Sequence, residues 1–162
     1  TGGVIMLKKI LVCVDMTRMA DHLIEYGHTL AHRLGAEVTF INVLPSSLIW
    51  KGYGTWVNPD WSKEAEESAR KKIRYLIKLA EDKHPDLPKD EHEILVAQGN
   101  SAEVIIETAK KNDFNLIVIG FKSVSGIPQL MVGSTTTNVA RYAHCSVLIY
   151  RPGFDPFEET PR

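Results

Sequence analysis

Five short apolar runs, rich in β-branched residues, recur along the chain, and longer stretches between them repeat their apolar positions every three or four residues. Ile10-Leu11-Val12-Cys13-Val14, Glu37 to Val43, Glu93 to Ala97, Leu116 to Ile119 and Ser146 to Tyr150 read as strands. The first is apolar without a break, the pattern of a strand buried on both faces of a parallel sheet. From Arg18 to Leu34 the positions Ala20, Leu23, Gly27, Leu30, Ala31 and Leu34 make a helical stripe that Gly35 ends, with Asp21, Glu25, His28 and His32 together on the other side. Ser62 to His84 turns Ala65, Ala69, Ile73, Leu76, Ile77 and Ala80 inward and its charges outward, and Pro85 and Pro88 close it. Asn100, with Glu103 three residues later, suits a capped start for a helix over Ala102 to Lys111, and Ser134 to Ala143 is the last helix.

Strand and helix alternate throughout. Parallel strands need crossover helices, and these crossovers are nearly always right-handed, so the expected fold is α/β: a three-layer, open, parallel five-stranded sheet with helices on both faces. Leu44 to Trp61 breaks the rhythm, with Pro45, Gly52, Gly54 and Pro59 among Trp50, Tyr53, Trp56 and Trp61. It reads equally as a loop folded onto the surface and as a lid or partner contact. Residues 151–162, with three prolines, Phe154 and Phe157, form a tail that lies on a surface or a partner.

The 162 residues suit one domain, 1–162, with residues 1–5 a cloning remnant or flexible leader and Met6 a natural start. A net charge of −1 offers no field of one sign to nucleic acid or an acidic membrane, so an anion must be held locally. Cys13 and Cys145 suit packing thiols in a reducing compartment. No run approaches the ~18 consecutive apolar residues of a membrane span, and no signal-peptide pattern stands at the start, so the expected location is cytoplasmic.

In an open doubly wound sheet the ligand crevice lies beyond the carboxyl ends of the strands, where the strand order reverses. A flavodoxin-like or Rossmann-like order puts the first strand at that reversal. Its end at Asp15, the second strand's end at Val43, Gly99 after the third and Gly120 after the fourth then converge on one place. From Gly120 the chain runs through small residues to Gly133 and Ser134-Thr135-Thr136-Thr137, where a helix opens; unpaired N–H groups and partial positive charge at a helix start favour an anion. The loop fits neither the Walker pattern nor G-x-G-x-x-G.

These residues carry a resemblance. Ile10 to Val14 followed by Asp15-Met16-Thr17, Leu116 to Gly120, Gly133-Ser134 and Ala143-His144-Cys145-Ser146-Val147-Leu148-Ile149 resemble the first strand and closing segments of the universal stress protein family over nearly the whole chain. The resemblance implies a Rossmann-like, adenine nucleotide α-hydrolase-like fold with strand order 3-2-1-4-5. It implies an adenine nucleotide, ATP or AMP, at the carboxyl ends of strands 1 and 4, Mg²⁺ joining through phosphate oxygens. Asp15, with Thr17 two residues on, and Val43 would meet the adenosine end, and Cys13 would line the pocket. Gly120, Phe121, Lys122, Ser123, Gly133, Ser134, Thr135 and Thr136 would surround the phosphates. Nucleotide-binding relatives follow G-x2-G-x9-G-[ST]; here Ser123 replaces the middle glycine, and Gly126 three residues on offsets part of that loss. The family's dimers pair their fifth strands, which here offers Val147, Leu148, Ile149 and Tyr150.

The reading is a cytoplasmic stress-response module that binds an adenine nucleotide and forms a homodimer, with a further protein partner of unknown identity and no nucleic acid or membrane. Its rivals are a dimeric interaction module of the same fold that Ser123 has closed to nucleotide, and a slow ATP hydrolase. The loop offers binding groups without an evident general base, so no catalytic residue is assigned. Glu25, His28 and His32 share a helix face, where a solvated surface rather than a metal site is expected.

Overall fold

The structure, a computed structural model, describes residues 8–45, 59–121 and 132–151, without the side chains of residues 59–61. Lys122, Ser123, Gly126, most of the aromatic segment and the tail beyond Arg151 lie outside the described residues. The elements are β1 (Lys9–Cys13), α1 (Ala20–Leu34), β2 (Glu37–Leu44), α2 (Pro59–Lys83), β3 (Glu93–Gln98), α3 (Ser101–Lys111), β4 (Leu116–Gly120), α4 (Ser134–Tyr142) and β5 (Ser146–Tyr150). All five strands are parallel, in the order β3-β2-β1-β4-β5, as the resemblance implies. The central β1 is buried along Ile10, Leu11, Val12 and Cys13, so a continuous apolar run is what its place demands.

The alternation of side chains across the sheet divides the core in two. Ile10, Val12, Phe40, Ile94 and Val118 pack with Leu23, Ile24 and Ala31 of α1 and with Ile73 and Ile77 of α2. Leu11, Cys13, Ile41, Ile117 and Ile119 pack on the other face with Ala102, Ile105 and Ala109 of α3 and Val139 of α4. Helix α1 lies so near β1 that a Cβ on Gly27 would stand 2.5 Å from Val12 Cγ2. Gly35 ends α1 in the left-handed region at φ 60°, and Asn100 accepts from the Glu103 N–H at 3.1 Å to cap α3, both as the sequence predicts.

Two expectations need correction. The segment read as irregular to Trp61 is already helical from Pro59, because proline's fixed φ suits a first helical turn, where its missing N–H needs no partner. His28, expected on a solvated face, is 1% exposed, while Asp21 and His32 on that face are exposed. Helix α1 buries a wider arc than one stripe because α2 packs beside it, where Glu81 meets His28, and because Tyr26 packs on Tyr150 of β5. On the same side Glu25 accepts from Lys83 at 2.8 Å and pairs with His84 Nε2 at 2.6 Å. At the far end of the stripe, Leu34 is exposed.

Candidate functional site

The carboxyl ends of β1, β2 and β4 open into a cavity of about 350 Å³ bounded also by the starts of α3 and α4. Its edge at β1 and β2 is stitched by side chain and backbone together: Asn42 Nδ2 donates to the Val14 carbonyl at 2.7 Å, and the Val14 N–H donates to the Ile41 carbonyl at 2.8 Å. Asn42 Oδ1 is buried at this wall and has no hydrogen-bond partner among the described residues. Across the cavity, the Thr136 hydroxyl donates to the Gly120 carbonyl at 3.0 Å and ties the start of α4 to the end of β4. Gly133 stands at the N-cap of α4 and gives no side-chain cap, so the first N–H groups of that helix depend on whatever else approaches.

Of the residues singled out by the sequence, Cys13, Asp15, Val43, Gly120, Gly133, Ser134, Thr135 and Thr136 line this cavity. Gly99 lines an adjoining cavity of about 320 Å³ that shares Pro45, Ser101, Ser134 and Thr135 with the first. Thr17 stands outside the lining, its hydroxyl donating to Asp15 Oδ1 at 2.6 Å and so fixing that exposed carboxylate. Phe121 is not brought to the cavity. Its ring is buried under the Arg151 guanidinium, 4.2 Å from the ring centre, and its N–H donates to the Tyr150 carbonyl.

Asn42, Ser101 and the apolar wall of Ile105 and Ile119 were missed. Only Asn42 carried a signal, a lone amide inside a strand run. Among the described residues lining the cavity, Asp15 is the one carboxylate and no lysine or arginine is present, so an anion there would rest on N–H groups and hydroxyls. Burial pushes the Cys13 thiol far above its ordinary range, with Cys145 adding to the shift, so Cys13 is a packing group and not a nucleophile.

A five-stranded parallel sheet in this order, with its crevice at the β1–β4 reversal, defines the adenine nucleotide α-hydrolase-like class of α/β folds. Residues 6–151 match the universal stress protein family, and the chain belongs to it. It is 26% identical over 149 residues to universal stress protein YxiE of Bacillus subtilis, covering 90% of this chain and all of that protein. The structure of UspA from Lactobacillus plantarum superposes with a TM-score of 0.68 at 22% identity, covering 89% of this chain and 97% of that one. Two further similar structures hold nucleotides. One is a universal stress protein in complex with cAMP, with a TM-score of 0.61 at 17% identity, covering 89% and 96% of the two chains. The other, from Archaeoglobus fulgidus, is in complex with dAMP, with a TM-score of 0.58 at 19% identity, covering 90% and 98%.

No helix among the described residues is long and apolar enough to cross a membrane.

Proposed function

We propose that the chain is a cytoplasmic stress-response module that binds an adenine nucleotide, ATP or AMP, at the carboxyl ends of β1 and β4. The observation that carries this reading is the cavity itself. Its volume of about 350 Å³ falls in the range of roughly 300–1,000 Å³ typical of small-molecule sites, and an apolar wall meets a helix start there. Asp15, held by Thr17, faces the ribose hydroxyls, Val43 and Ile41 flank the base, and Ser134, Thr135 and the first N–H groups of α4 take the phosphates. Mg²⁺ would enter with a polyphosphate, through its oxygens. The complexes of relatives with cAMP and dAMP support the ligand class.

Denaturing the purified protein and assaying the supernatant for adenine nucleotide tests this, followed by calorimetric titration with AMP and with ATP, with and without Mg²⁺. Binding that falls at least about tenfold in Ser134→Ala and in Asp15→Ala is the expected result. No released nucleotide and no heat would favour the second reading, an interaction module without nucleotide. Ser123 in the place of the family's glycine favours that reading, and a Ser123→Gly variant that gains binding would explain it.

A homodimer through β5 belongs to both readings. The strand ends the sheet and exposes Ile149, while Tyr150 turns inward to meet Tyr26 with ring centres 4.6 Å apart. A sedimentation profile of a monomer at micromolar concentration would remove the dimer.

A further inference from the structure

At the amino edge of the sheet, opposite the cavity, three elements bring a second set of polar groups together. His28 comes from the middle of α1, Glu81 from the last turns of α2, and His92 from the residue before β3. One potential ligand atom from each lies within 4.8 Å of the other two. A single oxygen, Glu81 Oε1, faces both imidazoles, 3.2 Å from His28 Nε2 and 3.4 Å from His92 Nε2. The two rings meet edge to face, their centres 4.5 Å apart.

Hydrogen bonding alone leaves this cluster incomplete. The His28 Nε2 contact is a hydrogen bond, but among the described residues His92 Nε2 has no hydrogen-bond partner despite its 3.4 Å approach to Glu81. Among the described residues three buried side-chain polar atoms lack a partner, and two of them, His28 Nδ1 and His92 Nε2, belong to this pair of histidines. Unpaired buried polar atoms are costly and rare, and His92 Nε2, 3.4 Å from the Glu81 carboxylate, is the one an ion held between these side chains would use.

We propose that His28, Glu81 and His92 form a binding site for a divalent cation of the zinc type, with water completing its shell. Adjacent ligands of a tetrahedral zinc with bonds of about 2.0–2.1 Å stand about 3.3 Å apart, a spacing that the two histidine–glutamate separations match, while the ligand atoms as a set, within 4.8 Å of one another, would draw closer around the ion. Two imidazoles and one carboxylate suit zinc and its neighbours, whereas calcium and magnesium prefer oxygen alone. The cluster is shielded but not sealed. Side-chain exposures are 11% for His92 and 12% for Glu81, against 1% for His28, so the side of His92 and Glu81 is the one nearer solvent. Burial, with the charge of His28, holds His92 below the ordinary imidazole range against the opposing pull of Glu81 and Asp90. Bound there, the ion would pin α1, α2 and the approach to β3 to one another. The neighbouring Glu25 is committed to Lys83 and His84 and does not compete.

The test uses tag-free protein stripped with a chelator, without nucleotide, titrated with Co²⁺ in the visible spectrum and with Zn²⁺ by calorimetry. The expected result is one ion per chain, a tetrahedral Co²⁺ spectrum, and a rise of several degrees in the thermal midpoint with Zn²⁺. Glu81→Gln and His92→Gln each weaken binding more than about tenfold with the far-ultraviolet circular dichroism unchanged, Glu81→Asp recovers part of it, and His84→Gln retains it. If either of the first two variants fails to fold, Glu81→His, which keeps a metal-binding group, replaces it and binds. No Co²⁺ spectrum and no stoichiometric heat overturn the proposal, as does full binding in both Glu81→Gln and His92→Gln.

Discussion

The hydroxyl of Thr136, in the first turn of α4, donates to the carbonyl of Gly120 at the end of β4, 3.0 Å away and sixteen residues earlier in the chain. The end of β4 and the start of α4 are thereby tied together by a bond whose threonine is 2% exposed. Thr136→Val keeps the shape and removes the donor, leaving a carbonyl without its partner. A loss of about 1–3 kcal/mol in urea unfolding is expected, against nearly none for Thr137→Val on the exposed face.

The approach of α1 to β1 depends on the absence of one side chain. Gly27→Ala places a methyl carbon 2.5 Å from Val12 Cγ2, in a residue that is itself fully buried. The helix gains about 1 kcal/mol of propensity but the overpacking costs about 1–3 kcal/mol, so the net change is destabilising. Val12→Ala in the same chain opens the space. The double variant should lose less stability than the sum of the two single changes in chemical denaturation, and strict additivity would show that the helix simply moves away.

Glu25 supplies a pH signature. Burial pushes its carboxyl up, but the hydrogen bonds and charges of Lys83 and His84 outweigh that and hold it below its ordinary value of 4.5. A folded value below the unfolded one stabilises the fold above the unfolded value, and this share is lost as pH falls through the folded one. Glu25→Gln should therefore cost stability at neutral pH, and the difference from the parent should shrink as pH drops from about 4.5. The pH dependence of the thermal midpoint in the two proteins checks this, and parallel curves would contradict it.

The two thiols should differ in reactivity. Burial raises both, far more for the buried Cys13 than for the partly exposed Cys145. A disulfide reagent at mildly alkaline pH should modify Cys145 slowly, faster as pH rises, and reach Cys13 only on unfolding. Mass spectrometry of the labelled peptides reads the outcome. Rapid native labelling of Cys13 would mean that the cavity wall opens.

The sheet was legible because its strands obey one rule: a parallel strand covered on both faces must be apolar throughout, and Ile10 to Val14 and Leu116 to Ile119 are. The site was legible in outline for the same reason, since strand ends and glycines mark where chain leaves the sheet. What escaped depended on contacts between elements. A helical stripe assumes one buried face, so it could not show that α2 would cover His28. Phe121 stands next to Gly120 in sequence, but its buried ring lies under Arg151 and stays off the cavity wall. Asn42 was hidden by its neighbours, an amide in a largely apolar strand whose partner carbonyl belongs to Val14, just past the end of β1.

The parallel sheet also gives the molecule two unlike ends. The cavity gathers residues where strands finish, the His28 cluster gathers residues near where β3 begins, and the two sets have no side chain in common. Between them stands the buried centre of the sheet, which tolerates little change. Mutation can therefore explore either end without erasing the other, so a lineage could exchange its ligand at one edge while keeping an inherited trait at the opposite edge.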